Sequence, residues 1–127
     1  MFRLDSKKII LLYQHFNVKR VEEESKKERV LWLAKCCEKE KYLGEIINKK
    51  LKTGWEFSHL PPLEKAILVY ATYELLFGQN PNYSRMIISQ TINFSKAYLE
   101  EGKYKYINKV LDLIRAESPS LMKCLTE

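Results

Sequence analysis

Histidine, cysteine and glycine are scarce in this 127-residue chain, and their scarcity removes most catalytic chemistry. The two histidines, His15 and His59, have no second His, Cys or Asp at a metal-binding or triad spacing. His15 suits a helix surface or boundary, and His59 a loop. Four glycines are scattered singly, so there is no Gly-rich phosphate loop. Cys36, Cys37 and Cys124 are an odd number with no C-x-x-C spacing. That usage predicts a reduced, cytoplasmic protein without disulfides. Cys36 and Cys37 lie about 100° apart on a helix, which sets one in a core and one at its edge. No enzyme activity, cofactor or metal is expected. The N-terminus runs straight into charged residues, so no signal peptide is expected. No apolar run approaches the ~20 residues of a membrane span. No stretch alternates apolar and polar residues between turn signals, which excludes a β fold.

What remains is helical periodicity. Asp5 or Ser6 can cap a first helix from Lys7, with Ile9, Leu12, Tyr13 and Phe16 on one face. A second helix is predicted from Glu22 to Lys39, acidic at its start, with Val30, Leu31, Leu33, Ala34 and Cys37 inward. A third runs from Tyr42 to Leu51 and is ended by Gly54. The fourth, Pro62 to Phe77, is the most distinctive. From Ala66 onward only Thr72 and Glu74 lack a mainly apolar side chain, so it is expected to be buried on nearly all sides. Pro61-Pro62 mark its start, and Gly78 with Asn80-Pro81-Asn82 its end. Thr72 can bond back to a carbonyl of its own helix, and Glu74 must be paired, hydrogen-bonded or at a rim. A fifth helix from about Tyr83 to Leu99 offers Met86, Ile87, Ile88, Thr91, Ile92, Phe94, Ser95 and Tyr98 to a core. A sixth, Lys103 to about Glu117, buries Ile107, Val110, Leu111 and Ile114, and Ser118-Pro119 is expected to stop it, leaving a frayed tail. The fold class is all-α with six helices in a single domain, 1–127.

The net charge of +6 sits largely at one end. Arg3, Lys7, Lys8, Lys19 and Arg20 face Asp5 alone within the first twenty residues, while the rest of the chain is close to neutral. A basic end on a neutral body suits an anionic partner, RNA or a phosphate-rich surface, or serves solubility alone.

Two stretches carry a family resemblance. Leu63-Glu64-Lys65-Ala66-Ile67-Leu68, then Ala71 and Tyr73-Glu74-Leu75, is followed some 30 residues later by Lys105-Tyr106-Ile107-Asn108-Lys109-Val110-Leu111-Asp112. In order and spacing they resemble the NusB family of bacterial antitermination factors. Leu12-Tyr13-Gln14 resembles that family's first helix. The resemblance implies two packed three-helix bundles, 1–54 and 60–117. It also implies binding of boxA-type RNA together with NusE, a small ribosomal subunit protein. The assembly would act on RNA polymerase so that it reads through terminators in ribosomal RNA operons. The family occurs as monomers and homodimers.

Single-stranded RNA is held by basic side chains on phosphates and by aromatic faces under unstacked bases. On that basis Arg3, Lys7, Lys8 and Tyr13 form one candidate RNA cluster, and Lys103, Lys105 and Tyr106, with Tyr104 between them, a second. The tyrosines suit either RNA or the core. Arg85 beside the 79–84 loop is a third, smaller cluster. Glu64 and Lys65, in the fourth helix's first turn, are the choice for the protein partner. Asn108 and Asp112 suit caps or tethers. The chain departs from the family in three places. Met-Phe-Arg-Leu-Asp stands where many members carry a run of arginines, Ser89-Gln90 replaces Asn-Glu, and Lys109 replaces glycine. These departures keep two other readings open: a protein-interaction module that has lost RNA binding, and a relative of the RNA-binding N-terminal domain of ribosomal RNA cytosine methyltransferases.

Overall fold

The computed structural model describes residues 2–17, 27–78 and 81–126. Among them are six α-helices and no strand: α1 (Ser6–Asn17), α2 (Lys27–Glu38), α3 (Glu40–Lys50), α4 (Pro62–Phe77), α5 (Ser84–Tyr98) and α6 (Tyr104–Thr126). Short 3-10 turns, Phe57–His59 and Pro81–Tyr83, precede α4 and α5. The chain forms two compact units, Asp5–Tyr70 and Met1–Leu4 with Ala71–Glu127. The division between these units falls inside α4. The predicted start of the second helix, Glu22 to Lys26, lies outside the described residues.

In the Asp5–Tyr70 unit, Asp5 organises the start of α1. Its Oδ1 accepts the Lys7 backbone N–H at 3.1 Å, and its carbonyl accepts the Lys8 N–H at 3.0 Å. Such a cap is worth ~1 kcal/mol. Its Oδ2 accepts Arg29 Nε at 2.9 Å, and its own N–H donates to the Tyr70 hydroxyl at 3.0 Å. Asp5 is thus a structural joint: its carboxylate ties α1 to α2, and its backbone N–H reaches α4.

The core of this unit is Ile9, Leu11, Leu12, Leu33, Cys36, Leu43, Ile46 and Ile47 against Ala66 to Tyr70. Two expectations need correction. Leu11 rather than Tyr13 turns inward on α1, Tyr13 being 36% exposed. On α2 the buried residues are Leu33 and Cys36, while Val30 and Leu31 are exposed. Apolar residues lie all round α2, so its pattern could not select the stripe. Cys36 is the core cysteine and Cys37 the edge one. α3 ends at Lys50, and Gly54 instead turns the following loop at φ 91°.

Ala66 to Thr72 are each at most 1% exposed, so α4 is buried around its whole circumference, as its composition requires. Each fully buried Leu or Ile there is worth about 1.5–3 kcal/mol.

In the other unit, α5 buries Ile87, Ile88, Thr91, Ile92 and Ser95, and α6 buries Ile107, Val110, Leu111 and Ile114. Thr91 Oγ1 donates to the Ile87 carbonyl at 2.6 Å and Ser95 Oγ to the Thr91 carbonyl at 2.8 Å, so both buried hydroxyls are satisfied within α5. Tyr98 is 66% exposed rather than buried, its ring lying 4.6 Å from that of Phe94. Thr72 also departs from expectation: its hydroxyl is fully buried and bonds no carbonyl among the described residues.

α6 does not stop at Ser118-Pro119 but continues to Thr126. Proline at 119 cannot donate to the carbonyl four residues back, that of Arg115. Ser118 Oγ donates to that same carbonyl at 2.9 Å and supplies the missing bond.

Candidate nucleic-acid interface

The start of α6 is built by a turn. Gly102 adopts φ 87°, a left-handed conformation that side chains resist, and its carbonyl accepts the Lys105 N–H at 3.2 Å. This begins a helix whose first residues are Tyr104, Lys105 and Tyr106, with Ile107 fully buried behind them. Lys105 is exposed, and Lys103, Tyr104 and Tyr106 are half-buried. Lys96, from α5, holds its ammonium 4.8 Å from the centre of the Tyr104 ring. Cation–π contact of this kind is worth about 0.5–1 kcal/mol at an exposed site. It fixes a positive charge beside the aromatic surface. The first amides of α6 add donors suited to phosphate.

Arg3 belongs to the same compact unit. The segment that carries it is held by one side chain, Gln90 of α5. Gln90 Oε1 accepts the Leu4 N–H at 2.6 Å, and its Nε2 donates to the Phe2 carbonyl at 3.0 Å. The amide both donates and accepts; an ionised glutamate, which the family pattern carries here, could not donate. Arg3, between the two anchored residues, is exposed. Gln90 was absent from the sequence-level candidates. The only hint of it was the replaced acid, because its partners lie 86 and 88 residues away.

Lys7, Lys8 and Tyr13 lie in the other unit, so the candidate residues divide between the two. Lys7 is exposed. Lys8 is half-buried with its ammonium 4.9 Å from the centre of a Trp32 ring, which makes it a packing residue as well as a charge. The Tyr13 hydroxyl accepts Asn17 Nδ2 at 3.3 Å.

The expected partner-binding pair behaves unevenly. Glu64 is 5% exposed, so little of the side chain chosen for a partner lies at the surface. Lys65 is half-buried, its ammonium 5.7 Å from the Phe16 ring centre and 5.6 Å from that of Phe57. The two rings meet edge to face at 6.2 Å. They floor a groove of about 420 Å³ rimmed by Glu40, Glu45 and Glu56. Phe57 packs closely there because Gly44 has no Cβ; one would meet the ring at 3.1 Å. Beside this groove His15 Nε2 lies 2.9 Å from Glu40 and 3.8 Å from Cys37 Sγ. Burial, and then the Glu40 carboxylate, push the Cys37 thiol above its ordinary pKa.

A second groove, of about 410 Å³, lies between α5 and α6. It gathers Arg85, Lys96 and Arg115, with Asn93, Asn108 and Asp112. Sequence reading found only Arg85 of its three cations. The signal was present as polar stripes at helical spacing: 85, 89, 93 and 96 on α5, and 108, 112 and 115 on α6. Among the described residues no three His, Cys, Asp or Glu side chains converge as a metal site, and no helix is long and apolar enough to cross a membrane.

These features define a class: a small all-helical domain whose basic and aromatic side chains collect at helix starts and along an interhelical groove. The NusB family profile matches residues 4–115, and the chain belongs to the NusB family. It is similar to the transcription antitermination protein NusB of Sulfurimonas denitrificans, 43% identical over 72 residues, covering 57% of this chain and 52% of that protein. The NusB protein of Methylacidiphilum infernorum is 26% identical over 110 residues, covering 85% of this chain and 74% of its own length. That of Helicobacter pylori strain 26695 is 36% identical over 90 residues, 71% and 58% of the two chains. The chain spans about half the length of most of the curated relatives it matches. No solved structure matches it significantly.

Proposed function

We propose that this NusB-family chain is a cytoplasmic transcription antitermination factor. It binds boxA-type single-stranded RNA together with NusE, within the RNA polymerase assembly that reads through terminators in ribosomal RNA operons. It is a scaffold without turnover. The family match from 4 to 115 supports the general role. The observation that carries the RNA reading is the α6 start, where Lys103 and Lys105 flank Tyr104 and Lys96 charges the ring. Arg3, held in place through Gln90, adds a guanidinium for phosphate. Lys7, Lys8 and Tyr13 supply further charge and stacking surface, and Tyr106 a second ring on α6. Lys65 is the residue of α4's first turn that remains for NusE.

The test is titration of a boxA oligonucleotide, with NusE present, at several salt concentrations. Z phosphate contacts to single-stranded RNA give a log–log slope of about −0.7Z. Lys103→Ala with Lys105→Ala is expected to reduce that slope by about 1.4 and to leave the melting temperature nearly unchanged. A large stability loss with RNA affinity intact would refute the assignment. The protein-only reading is favoured by one fact: Asp5, at the end where an arginine run is usual, commits its carboxylate to the α1 cap and Arg29. It predicts no RNA binding at low salt while NusE still binds.

A further inference from the structure

We infer that the groove between α5 and α6 is a second RNA-backbone site, one that takes phosphates beyond those held at the α6 start. This rests on the RNA reading above and names a further stretch of the path. Arg85, Lys96 and Arg115 line one groove, with Asp112 the single carboxylate among its lining residues. None of the three cations forms an ion pair with a carboxylate among the described residues. Three like charges on one concave surface repel one another, and concave low-dielectric walls focus their field on whatever anion enters. Elsewhere in the chain an arginine of comparable setting is neutralised: Arg29 has Asp5 at 2.9 Å. The groove's cations are left for an external anion.

The rest of the lining fits a phosphodiester chain. Arg115 donates Nε to Ser84 Oγ at 3.0 Å, which fixes its guanidinium from behind and leaves the terminal nitrogens for a phosphate fork. Asn93 and Asn108 supply amides that both donate and accept, suited to ribose hydroxyls and base edges. An acidic peptide would use the cations but would have little need of paired amides. Continuity also favours RNA. Lys96 lines the groove and also contacts the Tyr104 ring, so the groove opens onto the proposed stacking surface. A strand stacked on Tyr104 passes its next phosphates to Lys96 and then toward Arg85.

The experiment compares the full chain with Arg85→Ala and with Arg85→Ala/Lys96→Ala, titrating boxA-type RNA with NusE present across a range of salt. Arg85→Ala leaves the Lys96–Tyr104 contact in place and isolates the groove from the α6 start. Each lost phosphate contact removes about 0.7 from the slope, so the double variant loses about 1.4. Its affinity gap to the wild type then narrows about sevenfold on a fourfold rise in salt. Because phosphate contacts carry no sequence information, the weakening is expected to be equal for a scrambled oligonucleotide. Wild-type binding with unchanged slopes in both variants overturns the groove site and leaves the α6 site standing. Loss of NusE affinity with an unchanged RNA slope also overturns it, and assigns the groove to protein. Failure of the wild type itself to bind RNA overturns both readings, and is distinguishable because no variant is needed to see it.

Discussion

Two threonines with the same burial and opposite hydrogen bonding give a sharp test of the packing. Thr72 in α4 and Thr91 in α5 are both 0% exposed. Thr91 Oγ1 donates to the Ile87 carbonyl at 2.6 Å, whereas the Thr72 hydroxyl has no hydrogen-bond partner among the described residues. Valine has nearly the same shape and the same helix propensity as threonine, so Thr→Val changes little but the hydroxyl. At Thr91 it removes a satisfied bond, a net loss of about 0.5–1.5 kcal/mol. The Ile87 carbonyl keeps its backbone bond, so nothing is newly orphaned. At Thr72 it removes an unsatisfied buried hydroxyl whose desolvation costs about 1–3 kcal/mol. Thr72→Val is therefore expected to stabilise the protein by about 1–2 kcal/mol, raising the melting temperature by about 4–8 °C, and Thr91→Val to lower it. Urea unfolding followed by circular dichroism reads both, with an unchanged m-value as the control for denatured-state effects. If both variants shift the midpoint in the same direction, or Thr72→Val destabilises, the Thr72 hydroxyl is satisfied in solution and the accounting is wrong.

Three other perturbations follow from the geometry. Gln90→Ala releases both hydrogen bonds on the Phe2–Leu4 segment, about 1–2 kcal/mol locally, so hydrogen exchange at the Leu4 amide should accelerate by about 5–30-fold; unchanged exchange would show that Gln90 does not hold Arg3's segment. Gly78, just past the end of α4, has no room for a side chain: in Gly78→Ala a Cβ overlaps the backbone carbonyl oxygen of Glu74, which cannot swing away. A net loss of about 1–3 kcal/mol is expected, and a stabilised variant in urea unfolding would contradict it. Glu40→Gln removes the second cause of the raised Cys37 pKa and leaves burial, so iodoacetamide should label Cys37 faster at pH 8, as mass spectrometry would read. The linked stability has a fixed sign: a thiol with a raised folded-state pKa contributes fully below the ordinary thiol value and loses that contribution as pH rises through the folded value.

The fold was legible where one physical rule dominated. α4 has apolar residues on every face, and the only stable place for such a helix is inside. α5 and α6 carry clean stripes, and the buried isoleucines fall on them. α2 was not legible, because Val30, Leu31, Leu33, Ala34, Cys36 and Cys37 surround the helix and burial of any stripe was possible. The end of α6 was misread because the rule against proline in a helix assumes an orphaned carbonyl, and Ser118 supplies its donor. The candidate site divides in the same way. Lysines and tyrosines at a helix start declare themselves by residue type. Gln90 and Lys96 act on partners that the chain brings close only when folded, so a polar stripe or a replaced acid marks their positions without showing what they hold.

Glu64 and Lys65 show why a family motif is a poor guide to an interface. Neighbouring residues on a helix point about 100° apart, and here that rotation separates a buried carboxylate from an ammonium lying over Phe16 and Phe57. Both side chains therefore have work inside the domain. Glu64 can meet a partner only if α4's first turn moves, and moving it would strip Lys65 from two rings at about 0.5–1 kcal/mol each. A protein bound at this end of α4 is better served by leaving Lys65 in place. It can then read the face that the ammonium and the aromatic pair present together, with Glu40, Glu45 and Glu56 at its rim to receive basic side chains. On this argument a Lys65→Ala variant that weakens NusE binding would report loss of the aromatic pair's support as much as loss of a charge, and Lys65→Arg, which can still lie over both rings, should restore most of the affinity.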